Sequence, residues 1–434
     1  MAAKSKSSVP TLPAGYFDIP PEDQKYWHFI WRKANSLLAD YSFNRIDLAP
    51  IEQVETFTRP VAASDPDLIR RLVVGKSHGM ALALRASNAP SLMRAYLQHG
   101  MHALPHPVKM FTNAPVLEPV ERGHRMHWQL AVQTIGDDSS AVDAELLFLG
   151  CRVIEALNMG AFTVRINTIG DATGRPAYLR ALRDFFKNNQ KKMSAAAFNE
   201  SKEHPFRGLT LLATENLELA REAPQSVDFL SEEARAHFKS LLEFLDEGKV
   251  PYIIDHTLVA DHDFASHTVW QFVLDSVPAS ETQVALDGLT IIAGSRMDKL
   301  ADLLGGPKTP SAGWYLDVDS IVTRLKGRNA QVPEAGPKPK VFLSQLGEAA
   351  KKRSLMLFEE IRKSGIEVRY SLSRDTIKGQ LRMAARYDVR FALIFGQKEA
   401  LEGTVILREM DTGIQETIPL EKIIDELKKR LKAK

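Results

Sequence analysis

Four basic residues near the C-terminus recur at every fourth position and could contact phosphate groups. They are Arg374, Lys378, Arg382 and Arg386. On a helix this spacing places all four on one face, because residues four apart lie one above the other. Such a stripe is typical of a surface that binds a nucleic-acid backbone, since Lys and Arg neutralise phosphates without reading sequence. The alternative is a solvated helix face opposite a buried one.

Three histidines in the segment HGMHALPHP form a second cluster with potential chemistry. His99, His102 and His106 are close in sequence, but prolines bend the segment into a loop. A metal ion needs ligands that converge on it at fixed distances. We therefore predict no metal site and interpret these residues as surface histidines.

The composition is that of a globular protein with more than one domain. The chain has 434 residues, of which 44% are hydrophobic and 25% are charged, and this length fits roughly two or three domains. No apolar run reaches the roughly 18 residues of a membrane span, and residues 1–15 are predicted to be a disordered tail. The single cysteine, Cys151, excludes an internal disulfide and favours a reducing, cytoplasmic location.

Charge is distributed unevenly along the chain. Residues 338–434 contain 21 Lys and Arg against 14 Asp and Glu, whereas the whole chain has a formal net charge of only +2. The C-terminal part is therefore basic and the remainder mildly acidic. This asymmetry favours a polyanionic partner at the C-terminal end.

Hydrophobic periodicity predicts the elements that would position these residues. Amphipathic segments from Ser140 to Leu157 and from Ser231 to Phe244 predict helices, and short apolar runs predict strands. Strands dominate the middle of the chain and helices flank them, which indicates an α+β fold with a mainly antiparallel sheet. The strand candidates are Met80–Leu84, Val108–Phe111, Trp128–Ile135, 163–167 and 251–254.

A proline-rich segment, residues 327–340, predicts a linker to a separate domain. Beyond it, strands and helices alternate over residues 341–434, which predicts a small α/β domain. The helix that carries the basic stripe is predicted to begin at a cap on Ser373 and to end near Tyr387.

The motifs of both parts resemble those of histidyl-tRNA synthetases. VFLSQLGEAA, LFEEIRKSGIEVRY, IKGQLRMAARYDVRFALIFGQKE and GTVILREMDTGIQETIPLE resemble the anticodon-binding domain of that family. In the body, FNRIDLAPIE resembles the first class II motif, and PSAGWYLDVDSIVTRL stands at the third. HTLVADHDFASHTVWQF and IIAGSRMDKLADLLGG stand where the two histidine-specific motifs belong.

The resemblance implies a domain plan and a set of partners. It implies a class II synthetase-like core over residues 16–326, with flanking helices and an insertion at about 180–235, and an anticodon-binding domain over residues 341–434. Family members join histidine to tRNA with ATP and Mg²⁺, and they form dimers through the first motif. A homodimer and a tRNA partner are therefore expected, without membrane association.

The residues that bind ATP phosphates in the family are replaced in this chain. The resemblance aligns Glu118 with the arginine of the second motif, Ala260 with a histidine-specific arginine and Ser320 with the arginine of the third motif. Activation brings a carboxylate against a phosphate, so fixed cations are required. At about 4 Å and an effective dielectric near 20, exchanging attraction for repulsion costs about 8 kcal/mol, twice the ~4 of one pair. Arg122 and Arg125 are the cations that could substitute.

The amino-acid pocket implied by the resemblance has changed as well. Ser87 and Gln133 stand at glutamate positions and Phe264 stands at a tyrosine position, whereas Gln129 and Asp263 are retained. A pocket that recognises its substrate through hydrogen bonds loses affinity when those partners are replaced.

These replacements favour a non-catalytic relative that acts as a tRNA-binding or regulatory dimer, with no cofactor and with any protein partner unidentified. A divergent active histidine–tRNA ligase, which would need ATP and Mg²⁺, is the first alternative. The second alternative is the regulatory subunit of ATP phosphoribosyltransferase. That subunit resembles the synthetase body but typically lacks the anticodon-binding domain, so the C-terminal motifs count against it.

Overall fold

The computed structural model describes residues 9–62, 65, 68–120, 123–260, 262–274, 289–333, 336–372 and 376–432. The chain divides into two compact units, residues 1–332 and residues 333–434. None of the helices within the described ranges is long and apolar enough to cross a membrane. The N-terminal segment for which we predict disorder is described from Val9 onward.

Two sheets form the framework of the larger unit. Its described strands are β1 (Asn44–Arg45), β2 (Ile51–Gln53), β3 (Val73–Ser77), β4 (Met80–Leu84), β5 (Val108–Pro119), β6 (His124–Ile135), β7 (Phe162–Thr168), β8 (Tyr252–Ile254), β9 (Ser266–Leu274), β10 (Thr290–Arg296) and β11 (Ser311–Asp317). The main sheet has the order β1-β5-β6-β11-β10-β9-β7-β8, and β2-β4-β3 form the small one. Only the outer pairs of the main sheet, β1–β5 and β7–β8, are parallel among these strands. The predicted, mainly antiparallel α+β core is confirmed.

Helices cover both faces of the main sheet. They are α1 (Gln24–Asp40), α2 (Glu55–Thr58), α3 (Leu68–Leu72), α4 (Asn88–Gln98), α5 (Ser140–Ala156), α6 (Arg175–Asn188), α7 (Ala195–Glu203), α8 (Pro205–Glu215), α9 (Leu217–Arg221), α10 (Glu232–Glu247), α11 (Leu300–Leu303) and α12 (Val318–Gly327). Val132 packs into the core formed with α5, whereas its neighbour Ala131 packs into the cluster formed with α4. Successive residues of a strand point to opposite faces, so α4 and α5 lie on opposite sides of the sheet.

Helix α5 lies directly against the sheet because a glycine faces an aromatic ring. A Cβ atom at Gly150 would lie 2.6 Å from the Cζ atom of Phe272 in β9. The next residue, Cys151, is buried, and burial raises the pKa of its thiol to about 12. The only cysteine of the chain is therefore a packing residue in the protonated form at neutral pH.

The smaller unit is a five-stranded sheet with helices. Its described elements are β12 (Val341–Gln345), α13 (Glu348–Lys363), β13 (Val368–Tyr370), α14 (Ile377–Arg386), β14 (Phe391–Phe395), α15 (Gln397–Glu402), β15 (Thr404–Glu409), β16 (Gln415–Pro419) and α16 (Leu420–Lys432). The strand order is β13-β12-β14-β15-β16, and the predicted α/β domain is confirmed. Helix α14 is capped by Thr376, whose side chain accepts a hydrogen bond from the amide of Gly379. The predicted cap, Ser373, lies outside the described residues.

Candidate functional site

The register of the main sheet brings charged residues from two distant segments to one face. Glu118 pairs with Arg125 across the β5–β6 hairpin, and Gln129 of β6 pairs with Asp317 of β11. Directly opposed residues point to the same side, and side chains repeat every second position along a strand. Glu118, Arg125, Gln129 and Asp317 therefore share the face that α4 covers. Tyr315, two residues before Asp317, lies on it as well.

A pocket of about 290 Å³ opens on this face between the sheet, the start of α4 and the loop after β8. Its lining is mostly small and apolar, with a few uncharged polar groups and one histidine. None of the lining residues that the structure describes is Asp, Glu, Lys or Arg. The lining consists of Ser87, Asn88, Ala89, Leu92, Gln129, Ala131, Val132, Leu258, Val259, Ala260, His262, Phe264, Val269, Trp270, Gln271, Ala293, Gly294, Ser295, Met297, Gly313, Trp314 and Tyr315.

The resemblance assigns eight positions to the phosphate site and the amino-acid pocket, and four of them line this pocket. They are Ser87, Gln129, Ala260 and Phe264. The other four, Glu118, Gln133, Asp263 and Ser320, are not in its lining. Gln133 is fully buried in β6, where its Nε2 group donates to Oγ of Ser311 at 3.4 Å. Asp263 acts at a distance on the buried guanidinium of Arg175, whose pKa it helps to raise against the larger lowering effect of burial.

Two amides form the polar part of the pocket wall. Nδ2 of Asn88 donates to Oε1 of Gln129 at 3.1 Å. Asn88 is 1% exposed, and its Oδ1 atom has no hydrogen-bond partner among the described residues. Sequence reasoning found Gln129 but missed Asn88, because the two positions are 41 residues apart and only the fold joins α4 to β6.

Two carboxylates act on Tyr315 at the edge of the pocket. The pKa of the Tyr315 phenol is raised by burial and, in addition, by the negative charges of Asp317 and Glu118. Both carboxylates therefore lie close enough to the pocket residue Tyr315 to disfavour negative charge on it, although neither lines the pocket. Arg125 is exposed on the same face, in β6. A group entering here meets more negative than positive charge from these three side chains.

The third motif, which ends at Ser320, has become a self-contained helix cap. Oδ1 of Asp317 accepts hydrogen bonds from the amides of Asp319 and Ser320, at 3.1 and 3.2 Å. The Ser320 hydroxyl donates to Oδ2 of Asp317 at 2.8 Å. The position that the resemblance aligns with an ATP-binding arginine therefore serves the first turn of α12. Ser320 lines a different hollow, of about 590 Å³, together with Arg125 and Asp319.

Arg125 is already engaged electrostatically on that side. Asp319 accepts a hydrogen bond from the amide of Trp128 at 3.0 Å. The pKa of Asp319 is raised to about 6, mainly by burial and also by the negative charge of Asp317, while the Trp128 amide and the charge of Arg125 oppose the rise. Arg125 thus partly neutralises a half-buried carboxylate. The other predicted substitute cation, Arg122, lies outside the described residues.

An arginine of the second histidine-specific motif braces the sheet. Arg296 is 1% exposed and donates from Nη1 to Oδ1 of the fully buried Asp143 at 2.8 Å. It also donates to the backbone oxygen of Asp137 at 2.9 Å and contacts Asp298 at 3.2 Å. These partners are oxygens of the protein itself, so this group ties β10 to α5.

The basic stripe lies on the surface of the smaller unit. Lys378, Arg382 and Arg386 are exposed on α14, and Arg374 lies outside the described residues. The opposite face of the helix packs into the domain through Gln380 and Ala384, both fully buried.

In the larger unit, one histidine of the predicted cluster contacts a tyrosine: Nε2 of His106 lies 2.8 Å from the Tyr96 hydroxyl. The described residues contain no group of three or more potential ligands that could hold a metal ion.

Comparison with known proteins agrees with this arrangement. The family model "Histidyl-tRNA synthetase" matches residues 15–321, and the model "Anticodon binding domain" matches residues 340–430. The chain is 32% identical over 425 residues to a histidine–tRNA ligase of Dehalococcoides mccartyi, covering 96% of this chain and 99% of the relative.

Solved structures show the same likeness. Apo histidyl-tRNA synthetase of Staphylococcus aureus matches with a TM-score of 0.78 at 25% identity, over 97% of this chain and all of the other. A Bacillus halodurans protein described as an ATP phosphoribosyltransferase regulatory subunit/histidyl-tRNA synthetase matches with a TM-score of 0.63 at 16% identity, covering 90% of this chain and 99% of the other. The latter likeness is one of fold.

Proposed function

We propose that this chain, which belongs to the histidyl-tRNA synthetase family, no longer activates histidine and acts as a tRNA-binding protein. The observation that carries the proposal is the charge of the sheet face at the pocket. Glu118 and Asp317 act on Tyr315 there, while Ala260 in the lining has no charge. A carboxylate and a triphosphate cannot be held together without fixed cations.

The tRNA part of the proposal rests on the smaller unit. Its match to an anticodon-binding model supports tRNA as the partner. Lys378, Arg382 and Arg386 lie exposed on one helix, and their spacing of four residues suits a phosphate backbone. We further propose a cytoplasmic homodimer, formed through the first class II motif, residues 43–52, as the family resemblance implies.

The first experiment is histidine-dependent exchange of pyrophosphate into ATP, with an active synthetase measured in parallel. We expect no exchange above the level without histidine. Exchange at a rate near that of the active enzyme would end the proposal. ATP and Mg²⁺ would then be required, whereas the proposal needs no cofactor.

The second experiment is a gel-shift titration with bulk tRNA at several salt concentrations. Binding should weaken steeply with salt, because each neutralised phosphate releases counterions. The double variant Arg382→Ala, Arg386→Ala should bind more weakly and with a shallower salt dependence. A matched control, Lys428→Ala, Lys429→Ala, removes the same charge from the exposed face of α16 and should bind like the parent. Equal weakening by both pairs would show that only net charge matters and would refute α14 as the contact surface.

A divergent but active ligase remains the second candidate, and two observations favour it. The chain is 32% identical over nearly its whole length to a protein named as a histidine–tRNA ligase. Arg125 lies on the pocket face of the sheet, in register with Glu118. If Arg125 serves activation, Arg125→Met should abolish an exchange activity that the parent shows. The regulatory-subunit alternative is weaker, because the anticodon-binding module is present.

A further inference from the structure

The pocket of about 290 Å³ on the α4 side of the main sheet has a lining that suits an uncharged ligand. None of the described lining residues is Asp, Glu, Lys or Arg, and most are apolar. A free amino acid carries an ammonium and a carboxylate, and each needs a partner of opposite charge when it leaves water. The described lining offers neither a carboxylate nor a guanidinium or ammonium group. It is therefore poorly suited to an amino acid.

The amide pair gives the pocket a definite hydrogen-bonding requirement. Asn88 and Gln129 use one atom each to bond to one another, and Oδ1 of Asn88 is left buried and unpartnered. Nε2 of Gln129 donates to no other described residue. Reversing both amides exchanges their roles but again leaves one donor and one acceptor. A buried polar atom without a partner costs about 1–3 kcal/mol, so a ligand that supplies both partners gains affinity.

Size and surroundings narrow the ligand class. A volume of about 290 Å³ is at the lower limit of small-molecule sites. Phe264, which stacks with His262 at a centroid distance of 4.9 Å, provides a flat wall, and Met297 and Leu92 of the same hydrophobic cluster add apolar surface. At the edge, Glu118 and Asp317 disfavour anions.

We infer that this pocket binds a small, planar, uncharged molecule that carries a carboxamide or an equivalent adjacent donor and acceptor. The carboxamide N–H donates to the free acceptor of the Asn88–Gln129 pair, and its carbonyl accepts from the free donor. The ring lies against the apolar walls. This inference rests on the proposed loss of histidine activation, because a working ligase would keep the pocket for histidine.

Matched amide and acid probes test the inference with the full-length protein. Nicotinamide and benzamide should bind in ligand-observed NMR titrations, and nicotinate and benzoate should bind at least about tenfold more weakly, the effect of one unsatisfied buried group. Acids that bind as well as the amides, or amides that do not bind at millimolar concentration, would overturn the inference whatever the variants do.

Two variants and a control locate the site. Gln129→Glu removes the amide donor and should weaken nicotinamide at least about tenfold. Ala131→Met fills the pocket from β6 while keeping both amides, and it should abolish binding. Gln415→Glu makes the first change on the exposed surface of β16 and should leave binding unchanged. Unaltered binding in both pocket variants, folded by circular dichroism, would place the ligand elsewhere and refute the assignment.

Failure of the inference and of the proposed function give different results. No exchange activity together with equal binding of amides and acids removes only the carboxamide assignment. Exchange activity together with tight histidine binding removes both. Saturable amide binding that histidine does not displace supports both.

Discussion

Replacing Arg296 by methionine should destabilise the larger unit far more than removing any surface arginine. The guanidinium is 1% exposed and its partner Asp143 is fully buried. Oδ2 of Asp143 keeps two further partners in the variant, Nε2 of His237 at 2.9 Å and the hydroxyl of Thr268 at 2.8 Å. The carboxylate nevertheless loses the cation that compensates its burial.

The loss of unfolding free energy in Arg296→Met is set by the Asp143 carboxylate, which stays buried without its arginine. Removing one member of a buried ion pair costs about 3–5 kcal/mol, because the other charge stays buried. The two retained hydrogen bonds to Asp143 place the expected loss near the lower limit, ~3 kcal/mol. The control is Arg152→Met. Arg152 contacts Glu155 at 2.6 Å, a similar distance, but the two side chains are 55% and 50% exposed, so the expected loss is below ~1 kcal/mol.

The assay is urea unfolding followed by tryptophan fluorescence. All five tryptophans lie in residues 1–332, at positions 27, 31, 128, 270 and 314, so this signal reports on the larger unit alone. The difference in unfolding free energy between Arg296→Met and the parent should exceed that of Arg152→Met by at least ~2 kcal/mol. Equal losses in the two variants would show that burial does not control this ion pair, and the bracing role of Arg296 would be wrong.

Three further predictions concern stability and reactivity. The folded-state pKa of Asp319, about 6, is raised above its unfolded value, so the protein loses stability as pH rises from about 4 to above 6. In urea unfolding, Asp319→Asn should therefore increase the unfolding free energy by ~1–2 kcal/mol at pH 7 and leave it unchanged at pH 4. An equal increase at both pH values would contradict this. Gly150→Ala should lower the unfolding free energy by ~1–3 kcal/mol, because the new Cβ would meet the Phe272 ring. Gly75→Ala is the control: a Cβ there would have nothing within 4 Å, so the unfolding free energy should change by less than ~1 kcal/mol. Similar losses in the two variants would contradict a tight contact at α5. Cys151 is buried and its thiol pKa is about 12, so in the folded protein at pH 8 it should resist alkylation by iodoacetamide. It should react once urea unfolds the chain, and mass spectrometry would measure the alkylated fraction in both states. Rapid alkylation of the folded protein would contradict the burial of Cys151.

The sequence predicted the elements whose own residues determine them. The strand Met80–Leu84 and the start of helix α5 at Ser140 were predicted at the bounds the structure has, because apolar periodicity and turn residues act locally. Strand β5 was predicted to end at Phe111 but continues to Pro119. Its second half is paired with β6 along its full length, and such pairing depends on a partner strand rather than on local propensity. Helix α15, of only six residues, was not predicted.

The candidate site was predictable by residue type but not by arrangement. Glu118, Ala260 and Ser320 were identified separately, and only the fold shows that Glu118 and Asp317 act on the same tyrosine while Ser320 lines another hollow, which Asp317 also borders. The amide pair depends on the packing of α4 against β6, which no periodicity encodes. The replacements also explain one another physically. Once a cation at Ser320 is absent, Asp317 can cap α12 through that residue's amide and hydroxyl, and a carboxylate satisfied in this way no longer needs an arginine. Replacing Ser320 alone by arginine would leave Glu118 in place, and replacing Glu118 alone by arginine would leave Asp317 in place. A single substitution should therefore not recover histidine activation.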